Sequence, residues 1–186
     1  MMHTARTRGR ATRRAFTLVE AVASMVIISV IAALAAPLLI RGAEAYQGVA
    51  VRSQLQGELC SAIDRLDRSI RETSLNATED GPDITSATPA SLAWTTPGGP
   101  ATLGLSGGDL RFAAPGEPET TIMSGITGLT VRCFDESNAE LAGSLSGSAV
   151  LAVRRIEVTV SASRQGMSET LRLRVFLRCM MGGVGT

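Results

Sequence analysis

Side chains able to do acid–base, nucleophilic or metal chemistry are few in this chain, and their spacing assembles no familiar reaction centre. The single histidine, His3, lies in a basic N-terminal stretch. A product shortened there would have no imidazole to activate a nucleophile or act as general base. One His and three Cys (Cys60, Cys133 and Cys179) leave little material for a metal cluster. Glu79, Asp80 and Asp83 carry the right ligand type for calcium, but their spacing matches no calcium loop and reads as a solvated turn. The glycine pairs sit in turns and do not open a helix, so no phosphate cradle is present. No catalytic residues, metal site or cofactor are therefore expected, and the chain does not read as an enzyme. One carboxylate stands apart: Glu20 is the only charge between Phe16 and Ile40.

That carboxylate belongs to a polarised N-terminus. Among 186 residues the 18 basic side chains are all Arg, against 17 acids, for a formal net charge of +1. Arg6, Arg8, Arg10, Arg13 and Arg14 lie within residues 1–15, which contain no acid. The rest carries 13 Arg against 17 acids, a net of −4. This balance argues against a nucleic-acid binder held by a broad basic surface, and no direct nucleic-acid partner is expected. Apolar residues make up 45%, too many for a disordered chain. From Ala21 to Ile40 no residue is charged. As a helix, such a run spans about 30 Å, the hydrocarbon thickness of a bilayer. Clustered Arg before it favours a cytoplasmic N-terminus and an extracytoplasmic remainder.

Three export signals compete for this segment. A secretory signal could be cut after Ala33-Leu34-Ala35, releasing a chain that begins at Ala36. Thr12-Arg13-Arg14-Ala15-Phe16 has the paired Arg of a twin-arginine signal. The third reading rests on Ala15-Phe16-Thr17-Leu18-Val19-Glu20, which resembles the cleavage motif of type IV prepilins and type II secretion pseudopilins. Glu20 favours the third: a charged residue at the centre of a membrane helix costs about 2.5–3.5 kcal/mol, and a disposable signal has no use for it.

The resemblance implies cleavage by a membrane prepilin peptidase between Ala15 and Phe16, N-methylation of Phe16, and retention of the apolar segment. Glu20 becomes fifth in the mature chain, where the family's glutamate pairs with the terminal amine of a neighbouring subunit. Pro37 falls at mature position 22, where many pilins carry a helix-bending proline. Ala15 departs from the usual Gly but keeps a small residue before the cut. Further implied partners are other pilins or pseudopilins, an inner-membrane assembly platform and the lipid bilayer. The implied location is the inner membrane, single-pass, with the C-terminal part in the periplasm and later in a filament.

Beyond Pro37 the pattern becomes amphipathic. Val51, Leu55, Leu59, Ile63, Leu66 and Ile70 define one helix face, and the pairs Asp64–Arg68 and Asp67–Arg71 suit the exposed one. Cys60, beside that face, reads as a small buried thiol. A nearly continuous helix from Phe16 to about Ser74 is expected, fading near Asn76 before Glu79-Asp80-Gly81-Pro82. Strands are predicted at 91–95, 101–105, 109–113, 129–135, 155–161 and 170–178, with a hairpin through Arg164-Gln165-Gly166-Met167 and a loop over 139–149. The last two strands alternate apolar with polar residues, so each should have one wet face. Cys133 and Cys179, both on predicted strands, could form a disulfide if those strands are neighbours.

The expected class is α+β: a long N-terminal helix packed on a small antiparallel β domain. The expected divisions are a basic leader (1–15, removed), a transmembrane half-helix (16–40), an amphipathic periplasmic half-helix (41–76) and a β-rich head (77–186). General texture of the helix and the Arg-rich final strands resembles minor pseudopilin J or W-type minor pilins. The implied function is that of a structural minor subunit of a type IV pilus or type II secretion pseudopilus. The alternative is a periplasmic binding protein or enzyme released after Ala35.

Overall fold

A computed structural model describes residues 17–180. Ala15 and Phe16, the two sides of the expected cut, lie outside the described residues. Helix α1 runs Leu18–Arg71 and is followed, among the described residues, by nine strands. The α+β class expected from the sequence is what the chain adopts, with a long N-terminal helix and antiparallel sheets. The chain divides after Tyr46 into two compact units.

In the first unit α1 exposes apolar side chains around its circumference, including Leu18, Met25, Ile28, Ile31, Leu34 and Leu38. A helix apolar all round is a segment whose solvent is lipid or other protein rather than water. It is long and apolar enough to cross a membrane.

In the second unit α1 buries a stripe: Leu55, Leu59, Ala62, Leu66 and Ile70. Their spacings of four, three, four and four place them on one face. Val51 and Ile63, assigned to that face from sequence, are only partly buried. Asp67–Arg71 forms an ion pair at 2.9 Å, whereas Asp64 and Arg68 do not pair. The helix ends at Arg71, a turn earlier than expected, and the Thr73 hydroxyl donates to the Ile70 carbonyl at 2.6 Å. That bond serves one of the carbonyls a helix C-terminus leaves without an intrahelical donor.

Two sheets share the core with this stripe. The larger has the order β5(Thr120–Ser124)-β4(Asp109–Ala113)-β3(Gly99–Ser106)-β2(Ser91–Thr96)-β1(Ile84–Thr88)-β7(Leu145–Ser146). The smaller has the order β6(Ile126–Phe134)-β8(Arg155–Arg164)-β9(Met167–Phe176). All paired strands are antiparallel, and most connections are hairpins. Gln165 and Gly166, at φ 50° and 78°, turn β8 into β9, the two-residue geometry with both central residues left-handed. Trp94 is the centrepiece: fully buried, its ring lies 6.1 Å from that of Phe112, and its Nε1 donates to the Ser69 carbonyl at 3.2 Å. That bond satisfies the indole N–H and ties β2 to the last turns of α1. A bidentate ion pair from Arg164 to Glu58, at 2.9 and 2.7 Å, ties the β8–β9 hairpin to the same helix.

Two expectations need correction. The outer face of β8 is not simply wet, because Glu157 is buried beneath Arg132, Arg172 and Arg174. Long arginine stems from the flanking strands reach across the central one and shield its short carboxylate. The 139–149 segment contains a bridge from Glu140 to Phe134, strand β7 and the start of a 3-10 helix (Gly147–Ala152).

Leu66→Ala should destabilise the head by about 2–5 kcal/mol, because its side chain is fully enclosed. Val49→Ala, at an exposed position, should change stability by no more than about 0.5 kcal/mol. Urea unfolding in detergent, followed by fluorescence of Trp94, the chain's single Trp, measures both.

Candidate functional site

The N-terminus of α1 is held by a reciprocal pair. The Glu20 N–H donates to Thr17 Oγ1 at 3.3 Å, and the Glu20 carboxylate accepts from the Thr17 N–H and hydroxyl, both at 3.5 Å. This is a capping box, in which two otherwise unpaired backbone donors are satisfied by the two side chains. Glu20 also sits in the first turn, where the positive end of the helix dipole favours a carboxylate. Both effects lower the cost of a charge next to an apolar segment. The signal stands in the sequence as Thr-x-x-Glu, but a helix start placed at Phe16 puts Thr17 inside the helix and conceals the box.

After Glu20 the segment leaves little polarity exposed. The Ser24 hydroxyl donates to the Glu20 carbonyl at 2.8 Å, and that of Ser29 to the carbonyls of Met25 and Val26, both at 2.9 Å. Such back-bonding lets a hydroxyl sit in an apolar environment without an unmet donor. Pro37 lies inside α1. Its ring removes the donor that would reach the Ala33 carbonyl.

The cysteines occupy different environments from those expected. Cys60, Cys133 and Cys179 are all free thiols. The Cys133–Cys179 bridge is absent for a topological reason: β8 lies between β6 and β9, so the two strands are not neighbours. Cys133 on β6 faces Ile156 of β8, and Cys179 falls beyond β9 in a short 3-10 helix (Arg178–Met180). Cys60 is exposed rather than buried, because the stripe passes through Leu59 and Ala62 and leaves residue 60 on the outer face. Burial pushes the Cys133 thiol up to about 11. Asp135 is held below its ordinary value, mainly by the Ser137 hydroxyl, and Glu58 by Arg164. These bonds fix a turn and a hairpin. Among the described residues, no three His, Cys, Asp or Glu side chains converge as metal ligands, and Glu79, Asp80 and Asp83 are no exception.

Comparison with known proteins falls on the same N-terminal segment. Residues 10–36 match the family model described as the prokaryotic N-terminal methylation motif. No curated protein has a significant match to the chain. The motif supports the type IV pilin and pseudopilin family, and the long apolar helix followed by antiparallel sheets is a pilin-like architecture. It points to prepilin-type processing and to a structural subunit rather than an enzyme.

The thiols provide a check on the fold around this helix. At pH 8, Cys60 should react with a maleimide in the native protein, and Cys133 only after unfolding. Because burial raises the Cys133 pKa from 9.0 to about 11, the unfolded state loses its proton first as pH rises. The stability that burial of the neutral thiol contributes is complete below pH 9 and is lost as pH rises toward 11. Cys133→Ala should flatten that decline in urea unfolding measured at several pH values.

Proposed function

We propose that this protein is a minor pilin or pseudopilin, a structural subunit built into a type IV pilus or a type II secretion pseudopilus. The observation that carries the reading is the match of residues 10–36 to the methylation motif, on a helix whose large apolar side chains between Leu18 and Ile40 nothing in the described chain covers. The leader 1–15 is removed by prepilin peptidase between Ala15 and Phe16, and Phe16 is methylated. The subunit waits in the inner membrane as a single-pass protein, held by residues 16–40. The rest of α1, through Arg71, and the head that follows face the periplasm. Filament entry, through the assembly platform, exchanges lipid for the helices of neighbouring subunits around Phe16–Ile40.

In this scheme Glu20 has two successive roles. In the free subunit its carboxylate caps α1 through Thr17. In the filament it pairs with the methylated amine of a neighbour's Phe16, so that two charges enter an apolar core together. Pro37 bends the segment to follow the filament axis. The general texture of the Arg-rich last strands favours a J-like or W-type minor subunit that initiates or caps the filament. The rival reading, an exported binding protein or enzyme released after Ala35, is disfavoured because α1 continues through Ala35 and Ala36 without interruption.

Glu20→Ala should leave cleavage before Phe16 largely intact and reduce recovery of the protein in sheared filaments by an order of magnitude or more. Immunoblots of membrane and filament fractions give both numbers. Normal incorporation of the variant would remove the pairing role.

A further inference from the structure

Strand β9 ends the smaller sheet on one side, and its outer edge differs from every other edge in the head. On the opposite side of that sheet, β6 has partners: Val131 N–H donates to the Pro89 carbonyl at 2.9 Å, Ile126 N–H to the Gly108 carbonyl at 2.8 Å, and Leu141 N–H to the Cys133 carbonyl at 2.9 Å. In the larger sheet, edge strand β7 has two residues, and edge strand β5 has five, with a register shift where it meets β4. Shortness and bulging are ordinary ways to disarm an edge. β9 uses neither. It has ten residues, contains no proline, and pairs with β8 from Arg155↔Phe176 to Arg164↔Met167 without a shift. Among the described residues no backbone bond reaches its outer side.

The side chains of β9 look unfinished in the same direction. On the inner face, Val158 and Val160 of β8 are fully buried, but their register partners Leu173 and Leu171 are only partly covered. On the outer face, Arg172 and Arg174 both reach for the Glu157 carboxylate, at 3.5 and 2.6 Å, and both stay 55% exposed. Arg132 is taken up by Glu140, and Arg155 stacks on Phe134 and Phe176 with its Nε unpartnered. Along β9 itself this face therefore sets two Arg (Arg172 and Arg174) against the single Glu157, an excess of one positive charge in a chain that carries −4 beyond its leader.

We infer that β9 is a docking edge that takes an added strand from another filament subunit, one that lays apolar side chains over Leu171 and Leu173 and carboxylates against Arg172 and Arg174. Backbone pairing supplies affinity, and the alternating side chains supply selection. The arginines repel a basic strand and admit an acidic one, so they also protect the edge from indiscriminate pairing. The inference rests on the assembly reading only for the source of that strand.

The test uses the full chain in detergent micelles and a capped peptide of about ten residues alternating Val and Glu, long enough to cover the edge. The Val/Glu peptide should slow amide exchange within 167–176 by about tenfold or more, without slowing exchange in β2 or β3. A Val/Lys peptide, and a Val/Glu peptide N-methylated at alternate residues, should not. Arg172→Gln should weaken docking of the Val/Glu peptide several-fold while Trp94 fluorescence stays native. Arg172→Glu with Arg174→Glu should reverse the preference toward Val/Lys. If that double variant fails to fold, Arg172→Gln decides alone. Equal protection by the Glu and Lys peptides, or docking that survives N-methylation, would overturn the inference. Protection that appears without peptide and grows with protein concentration would also overturn it, assigning the edge to a second copy. A chain correctly methylated at Phe16 whose β9 ignores all peptides would sink this inference and leave the assembly reading standing. Docking of the Val/Glu peptide by a protein whose product in cells begins at Ala36 would keep the edge and remove the filament as the source of the strand.

Discussion

Everything in this protein is arranged around the covering of one helix. Along Leu55, Leu59, Ala62, Leu66 and Ile70 the apolar side chains of α1 form a single stripe, and two small sheets close over it. Between Leu18 and Ile40 the apolar side chains point in all directions, and the described chain supplies nothing to cover them. Burial of a large aliphatic side chain is worth about 1.5–3 kcal/mol, so a run of exposed Leu, Ile, Val and Met in water is strongly unfavourable. A surface of that kind needs a bilayer or a bundle of like helices. The methylation motif across residues 10–36 overlaps this uncovered stretch.

A carboxylate at the head of such a segment has to be provided for. The capping box with Thr17 does so, using backbone donors that the first helical turn would otherwise leave unmet. The bonds are long, at 3.3 to 3.5 Å, and the side chain is exposed, so the cap holds the charge without burying it. The head repeats the theme in a different setting, where Glu157 is enclosed by three arginines from its two flanking strands and β9 is left with charge to spare.

Much of this architecture is legible in the order of the residues. The amphipathic stripe, six of the nine strands and the Gln165-Gly166 hairpin follow from periodicities of 3.6 and 2 and from turn chemistry. Strands β1 and β5 escape such reading because Ile84-Thr85-Ser86-Ala87-Thr88 and Thr120-Thr121-Ile122-Met123-Ser124 are too polar and small to show alternation. They are strands because β2 and β4 offer them an edge. Cys60 lies one residue of helical phase away from the buried stripe, which is enough to turn a side chain by about 100°. A Cys133–Cys179 disulfide fails on strand order, which pairwise spacing cannot encode. Glu20 stands out at once because a single charge in an apolar run is conspicuous, whereas its partner Thr17 looks ordinary until the start of the helix is fixed.

The central claim is that α1 stays on the mature protein, so the most direct measurement is the mass and N-terminal sequence of the chain recovered from membranes. The expected product begins at Phe16, is heavier by one methyl group on its terminal nitrogen, and carries the whole of α1. A product that begins at Ala36 would contradict the claim, since the helix that organises the molecule would then be a discarded signal.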